Sequence, residues 1–215
     1  FVESDNMAAQ TGTVEVTVNL ASISEAKVTV SGGPFTYDGK PKTPTVTVEL
    51  NGKPLSGGTD YKLSYENSNG GADNLTNAGM VTVTATGKGN YTGTKTATFT
   101  IAQSATEFDG GVTVDKKDKT YTYGDTITVT VTPKATGEAP ANNALALAAP
   151  TAGQMAIYEG DRQLTEAKDV TSGSELTFTI DTAEVNLGRG KHTLTAKFVE
   201  SDNMAAQTGT VEVTV

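Results

Sequence analysis

The sequence predicts an all-β protein of two immunoglobulin-like β-sandwich modules in tandem, with antiparallel sheets, and three observations support this prediction. The first is composition: 215 residues include 23 Gly but neither Cys nor Trp, and the apolar fraction is 36%. The second is a series of short stretches in which apolar and polar residues alternate between turn-forming residues. The third is that no helical stretch is long enough to connect parallel strands, which favours antiparallel sandwiches.

Five alternating stretches lie in the first half of the chain. Val, Thr, Tyr and Phe dominate them, as expected of strands with one buried face. Asn51 and Gly52 tolerate positive φ angles and predict a type I′ hairpin between Leu50 and Lys53. Residues 87–90 are glycine-rich but lack the spacing of a phosphate-binding loop, so we interpret them as a hairpin turn. We predict strands within residues 26–33, 43–50, 60–67, 80–87 and 94–101.

Six further stretches in the second half show the same alternation. Within residues 126–132, Ile127, Val129 and Val131 face one way while threonines face the other, as one face of a sandwich requires. Six strands in about a hundred residues fit an immunoglobulin-like sandwich. We predict strands within residues 111–115, 125–134, 154–164, 175–182, 191–200 and 208–215.

The first eighteen residues, FVESDNMAAQTGTVEVTV, recur unchanged at the end of the chain. We call residues 1–18 the N-terminal copy and residues 198–215 the C-terminal copy. Duplication at a fixed offset predicts a tandem array, divided into the end of a preceding repeat (1–18), a first module (19–103) and a second module (104–215). Because the N-terminal copy lacks the sheet to which its strand belongs, we expect residues 11–18 to pair with a neighbouring chain or an exposed sheet edge.

Two families are similar to the two halves of the chain. Residues 35–48, which contain FTYDGKPK, together with residues 58–65 and 77–101, resemble the bacterial repeat family with a Tyr-Asp-Gly signature, related to MBG modules. Residues 123–133 and 187–215, with AIYEGDRQL between them, are similar to the bacterial Ig-like repeats of large surface and adhesin proteins. These resemblances imply small β-sandwich modules at an extracellular, bacterial cell-surface location.

Two stretches are longer than the corresponding links in those families. Residues 68–79 are expected to form a protruding loop, either a solvated spacer or a contact site. Residues 135–153 form the second long link. Within it, residues 142–149 are expected to form a brief helical turn that packs on one end of the sandwich.

The charge of the chain argues against two classes of partner. A net charge of −9 and an isoelectric point near 4.6 oppose binding to nucleic acid or to an anionic membrane. No apolar run approaches the roughly 20 residues that span a bilayer. We therefore expect neither nucleic-acid binding nor membrane insertion, and the absence of Cys excludes disulfides and thiolate metal sites.

The sequence predicts no enzyme, no cofactor and no catalytic or metal site. His192, the one histidine, lies in an alternating strand, and we interpret it as a surface or half-buried strand residue. Glu159 and Asp161 fit a turn between strands. An alternative for the acidic end of the chain is Ca²⁺ bound at the junction between repeats, with ligands drawn from Glu200, Asp202 and Asn203.

Other residues have chemistry that the sequence alone does not place. Lys27 or Lys116, and Gln207, suit an intramolecular cross-link, which would lower the intact mass by about 17 or 18 Da. Asn74 and Asn90 begin glycosylation sequons and indicate surface loops. Tyr121 and Tyr123 share a strand face, where core or junction packing is expected rather than a ligand platform.

These observations favour a non-enzymatic repeat of a bacterial surface adhesin or fibre that acts as a stalk and displays a distal binding region. Adjacent repeats of the same chain are the expected partners. The alternative is that the repeats are themselves multivalent binding modules for a glycan, a host protein or copies on a neighbouring cell.

Overall fold

The structure is a computed structural model that describes residues 11–138 and 153–215. Within these ranges it consists of strands, turns and loops and contains no helix, so none of the described segments is a helix that could cross a membrane. The predicted all-β class is confirmed. The expected helical turn at residues 142–149 lies outside the described residues.

The strands of the first module form a five-stranded sheet and a three-stranded sheet, with a short parallel pair beside them. The five-stranded sheet has the order β3-β10-β8-β6-β7, the three-stranded sheet the order β2-β4-β5, and β1 pairs with β9. The ten strands are β1 (Ala21–Ser22), β2 (Lys27–Ser31), β3 (Phe35–Thr36), β4 (Thr45–Leu50), β5 (Lys53–Pro54), β6 (Tyr61–Asn67), β7 (Gly71–Ala72), β8 (Gly79–Gly87), β9 (Tyr91–Thr92) and β10 (Thr94–Ala102).

The core of the first module joins its two larger sheets. Val48 of β4 packs in one buried cluster with Tyr61 of β6 and Ala85 of β8, and Ile23 and Ala26 complete the cluster. All five predicted strands are present. The predicted hairpin at Asn51 and Gly52 is also confirmed, because both residues have positive φ and Leu50 pairs with Lys53 across a two-residue loop.

The second module is a sandwich of two antiparallel sheets. One has the order β11-β12-β16, and the other has the order β14-β13-β17-β18 with β15 also beside β13. Ile127, Val129 and Val131 face the core and are at most 1% exposed, as their alternation predicts. The strands are β11 (Thr106–Val114), β12 (Thr126–Ala135), β13 (Gln154–Glu159), β14 (Arg162–Gln163), β15 (Lys168–Asp169), β16 (Leu176–Asp181), β17 (Lys191–Phe198) and β18 (Gln207–Thr214).

The chain enters and leaves each module at opposite ends. In the first module the chain enters at β1, which pairs with β9, and β9 ends just before β10 begins. The chain leaves this module at the end of β10. In the second module the chain enters at β11 and leaves after β18. Gln207, the first residue of β18, contacts Thr106, the first residue of β11, so β18 ends at the opposite end of the module. At about 3.3 Å per residue, β10 spans about 30 Å and β18 about 26 Å.

The described part of the N-terminal copy, residues 11–18, pairs with no other described residue of the chain. Residues 11–20 are exposed and form no strand. The expectation that residues 11–18 join a sheet edge of this chain is therefore wrong, whereas pairing with another chain stays a prediction. Val14, Val16 and Val18 are 85%, 77% and 89% exposed and so are not packed on either described core.

Candidate functional site: the junction between the modules

Polar residues are buried where the two modules meet. Among the described residues, four polar side chains are buried, and three of them, Asn67, Ser104 and Thr106, lie at this junction. The fourth, Thr182, lies at the other end of the second module. Because a buried polar group is costly unless it is hydrogen-bonded, such a concentration indicates a specific contact rather than a loose linker.

The link between the modules is fixed by backbone hydrogen bonds to the turn before β18. Ser104 pairs in parallel with Met204: its N–H donates to the Asn203 carbonyl at 2.9 Å, and its carbonyl accepts from the Ala205 N–H at 2.9 Å. The Thr106 hydroxyl donates to the Ala205 carbonyl at 2.6 Å. An isolated parallel bridge thus ties the linker to the second module.

The loop of residues 68–79 is organised by asparagine side chains. Asn67, which is 2% exposed, donates through Nδ2 to the carbonyls of Asn74 and Asn77 at 3.1 and 2.9 Å, and its Oδ1 accepts from the Asn69 N–H. Asn74 Oδ1 in turn accepts from the Asn77 N–H at 2.9 Å. The expectation of a protruding, solvated spacer is wrong, because the loop folds back on its own polar groups.

The same loop contacts the second module through one side chain. Asn203 Oδ1 accepts a hydrogen bond of 2.8 Å from the N–H of Ala78, which is 3% exposed. Asn203 Nδ2 lies 3.4 Å from Asn77 Oδ1. Of the two alternatives that the sequence leaves open for this loop, the structure places it as a contact site between modules. The four asparagines in residues 67–77 are the sequence signal that could have indicated it.

The Tyr-Asp-Gly signature lies at the junction as well. Tyr37 is half-buried and packs against the core of the second module, and its N–H donates to the Ala102 carbonyl at 2.9 Å. Lys42 donates to Asp38 at 2.5 Å, and this hydrogen bond lowers the pKa of the Asp38 carboxyl. Sequence reasoning used this signature only as a resemblance and missed its contact with the second module.

An open cleft of about 560 Å³ lies beside the contact. Its lining includes Ser68, Asn69, Thr100, Gln103 and Asp202, and no aromatic side chain contributes to it. Flat carbohydrate platforms are usually built from aromatic rings. Ala78, Met80, Ile101 and Ala102 also line the cleft, so it is a groove of mixed polarity between modules with no planar surface for a sugar ring.

His192 lies in β17 and is held at both ring nitrogens. Nδ1 is 2.6 Å from Glu159 Oε1 and Nε2 is 2.7 Å from the Gly188 carbonyl. The hydrogen bond with His192 lowers the pKa of Glu159, which also binds Arg162 at 2.9 Å. The histidine thus joins β13, β17 and the loop before β17, and its side chain is half-buried, in agreement with the structural interpretation.

The residues suggested for a cross-link have other partners. Lys116 Nζ is 2.7 Å from Asp125 Oδ2, and this contact raises the pKa of Lys116 and lowers that of Asp125. Both groups are therefore held in their charged forms, which do not condense to an amide. Gln207 donates to the Thr106 carbonyl at 2.9 Å, which brings β11 and β18 together. Lys27 lies opposite Glu49 in the register of β2 and β4.

The remaining sequence predictions for this region have mixed outcomes. Asn203 lies in the junction and Asp202 lines the cleft. Among the described residues, no three His, Cys, Asp or Glu side chains group as a metal site, and calcium binding by Glu200, Asp202 and Asn203 stays a prediction. Of the two sequon asparagines, Asn90 is exposed, whereas Asn74 is half-buried and its side-chain oxygen is hydrogen-bonded.

The far end of the second module carries a second polar network around a tyrosine. The Tyr121 hydroxyl donates to Asp115 at 2.8 Å, and burial together with this hydrogen bond raises the pKa of Tyr121 to about 12. Tyr121 is 4% exposed and belongs to the core, as expected, whereas Tyr123 is 54% exposed. Here Thr120 forms a parallel bridge with Thr214 at the end of β18.

Comparison with known proteins found no matching family model and no matching curated protein. Among solved structures, the chain is similar to the D00-D0 domain of intimin, at 14% identity and a TM-score of 0.32, over 88% of this chain and 100% of that one. It is also similar to domains 4 and 5 of the S-layer protein SbsC, at 20% identity and a TM-score of 0.28, over 90% of this chain and 97% of that one. Because these identities and TM-scores are low, the fold is assigned from the strand pairing described above and not from these similarities.

Proposed function

We propose that this chain is a non-enzymatic structural repeat of a bacterial cell-surface protein, and that it acts as a stalk segment that holds a distal binding region away from the cell. The observation that carries the proposal is that the chain enters and leaves each module at opposite ends. Modules connected in this way extend in series, so length increases with each copy. The partners are adjacent repeats of the same chain.

The hydrogen-bonded junction supports the same role. A stalk requires neighbouring modules to keep their relative orientation, and an unbonded linker would not provide this. Asn203, Ser104 and Thr106 connect the modules through side-chain and backbone bonds. The resemblance of the two halves to surface repeats supports an extracellular location.

Small-angle scattering on two repeats joined head to tail tests the proposal. From the strand lengths, we expect a rigid rod with a maximum dimension of roughly 110 Å. A matched control carries Asn203→Ala in both repeats, which removes the side-chain contact with Ala78. Its scattering should show a more flexible particle, and a compact or freely jointed wild-type particle would contradict the stalk.

The alternative, in which the repeats themselves bind a glycan or a protein, would use the cleft beside the junction. A glycan array probed with multivalent repeats tests this alternative. Specific binding that is lost on Thr100→Lys, a change at the cleft lining, would favour it.

A further inference from the structure

Exposed apolar side chains in this chain fall into a pattern. Among the described residues, large hydrophobic side chains are exposed at Val14, Val16, Val18, Leu20, Met80 and Tyr123. The three valines are the counterparts of Val211, Val213 and Val215 in the C-terminal copy. Leu20 continues their alternation two residues beyond the duplicated sequence, and it is 57% exposed.

The register at the far end of the second module relates Tyr123 to the end of β18. Thr120 and Thr214 form a parallel bridge, and the Tyr121 N–H donates to the Thr214 carbonyl at 2.8 Å. In a parallel pair the two chains advance together. Tyr121 is therefore level with Val215, and Tyr123, two residues further along the chain, begins the turn in which the Asp125 N–H donates to the Thr122 carbonyl at 2.8 Å.

Leu20 of a following copy would lie at the same level. In the N-terminal copy, Val18 is the counterpart of Val215 and is followed by Asn19 and Leu20. A second copy that continues from Val215 in the same way places its Leu20 two residues past Val215. Tyr123 and this Leu20 then occupy equivalent positions on neighbouring segments.

The incoming Leu20 also continues the core face of β18. Tyr121 and Val213 both point into the core, where they are 4% and 2% exposed. Strand alternation places the incoming Leu20 on that same face, and Tyr123 is 54% exposed at the turn that directly follows Tyr121 and Thr122. The Tyr123 turn is held in place, because the Gly124 N–H donates to the buried Thr182 hydroxyl at 2.8 Å and the Thr122 N–H donates to Asp125.

We propose that Tyr123 of one copy and Leu20 of the next form the apolar contact between successive repeats, with a second copy of this chain, joined head to tail, as the partner. This inference rests on the proposed function, since it requires copies in series. The contact continues the row of core-facing side chains of β18, Val211 and Val213, from one repeat into the next. It buries two side chains that are more than half exposed in the single chain.

Disulfide trapping tests the contact, because the chain contains no Cys. The protein is residues 1–215 followed directly by residues 19–215, with Tyr123→Cys in the first repeat and Leu20→Cys in the second. A disulfide needs Cα atoms about 4.4–6.8 Å apart, so this pair should oxidise at least about tenfold faster than a control with Thr122→Cys, whose side chain faces the opposite way. Intact mass and gel mobility measure the rate.

A second measurement does not depend on oxidation. Alkylation of Leu20→Cys should be at least about tenfold slower in the second repeat of the tandem protein than in the single chain, because burial limits access. Equal oxidation of both cysteine pairs, or unchanged alkylation, in a tandem protein that still scatters as a rod would overturn the contact and leave the stalk intact. A freely jointed particle would instead contradict the stalk.

Discussion

The same eight residues, TGTVEVTV, have different structures at positions 11–18 and 208–215. In the C-terminal copy, residues 207–214 form β18, pair with β17 over eight positions and bury Val211 and Val213. In the N-terminal copy, residues 11–18 are exposed and pair with none of the described strands. Because the sequences are identical, β propensity cannot account for the difference. The neighbouring strand and the core beneath it determine whether this sequence forms a strand.

The largest expected effect on stability comes from placing a carboxylate at Val213, compared with the same change at its counterpart Val16. Val213→Asp places a carboxylate in a site that is 2% exposed, and we expect the free energy of unfolding to fall by about 4 kcal/mol. Val16→Asp, the same change at a site that is 77% exposed, should alter it by less than about 0.5 kcal/mol. Urea titration measures both, and similar losses would mean that residues 11–18 are packed in solution.

The glycines of the two copies provide a second matched pair. A Cβ at Gly209 would lie 2.7 Å from a ring carbon of Phe108 and 2.9 Å from a methyl of Val112, whereas a Cβ at Gly12 meets nothing within 4 Å. Gly209→Ala should therefore cost about 2 kcal/mol through overpacking, and Gly12→Ala close to zero. Thermal unfolding compares the two variants, and a neutral Gly209→Ala would show that β11 and β18 are not packed this closely.

A third prediction concerns the turn before β18. Asn203→Ala leaves the buried N–H of Ala78 without its acceptor and should cost about 1 to 2 kcal/mol. Asn203→Asp keeps an acceptor oxygen and should cost less. Hydrogen exchange at Ala78, measured by NMR, should speed up in the alanine variant alone, and unchanged protection would exclude the contact.

The smallest expected effect is on the acid side of the pH profile. The pKa of Glu159 is lowered in the folded state by His192 on β17, next to β18. A carboxyl whose pKa is lower in the folded state stabilises the protein at pH values above its unfolded pKa of about 4.3. This stabilisation is lost as the pH falls from there through the folded pKa. Glu159→Gln should therefore reduce stability by about 0.5 kcal/mol at pH 6 and by nothing at pH 2. Denaturation at both pH values tests this, and an equal loss at both would contradict it.

Alternation predicted the long strands well, because each buries one face against a core. It missed β1, β3, β7, β9 and β15, which are two residues long and form only where tertiary contacts bring another segment alongside. A two-residue strand carries no period that a sequence pattern could reveal. The start of β11 at Thr106 was missed for another reason, since a register shift between Phe108 and Val112 interrupts its pairing with β12.

The junction was only partly predictable from sequence. Asn203 was considered as a ligand for a metal, and the structure gives its oxygen to the Ala78 N–H. Whether a side-chain amide meets a metal or a backbone group depends on distances set by the fold, and no local pattern encodes them. Tyr37 likewise lies in a recognisable motif, but its neighbours come from the second module.

The direction of β18 also determines how the second module responds to a pull on its two ends. Because the chain joins this module at Thr106 and leaves it at Val215, tension runs parallel to β18. Hydrogen bonds between antiparallel strands are perpendicular to the strands, so the ladder from Lys191 to Phe198 is loaded in shear and its bonds share the force. Resistance to stretching then depends on the rate at which this ladder breaks as a unit rather than on equilibrium stability.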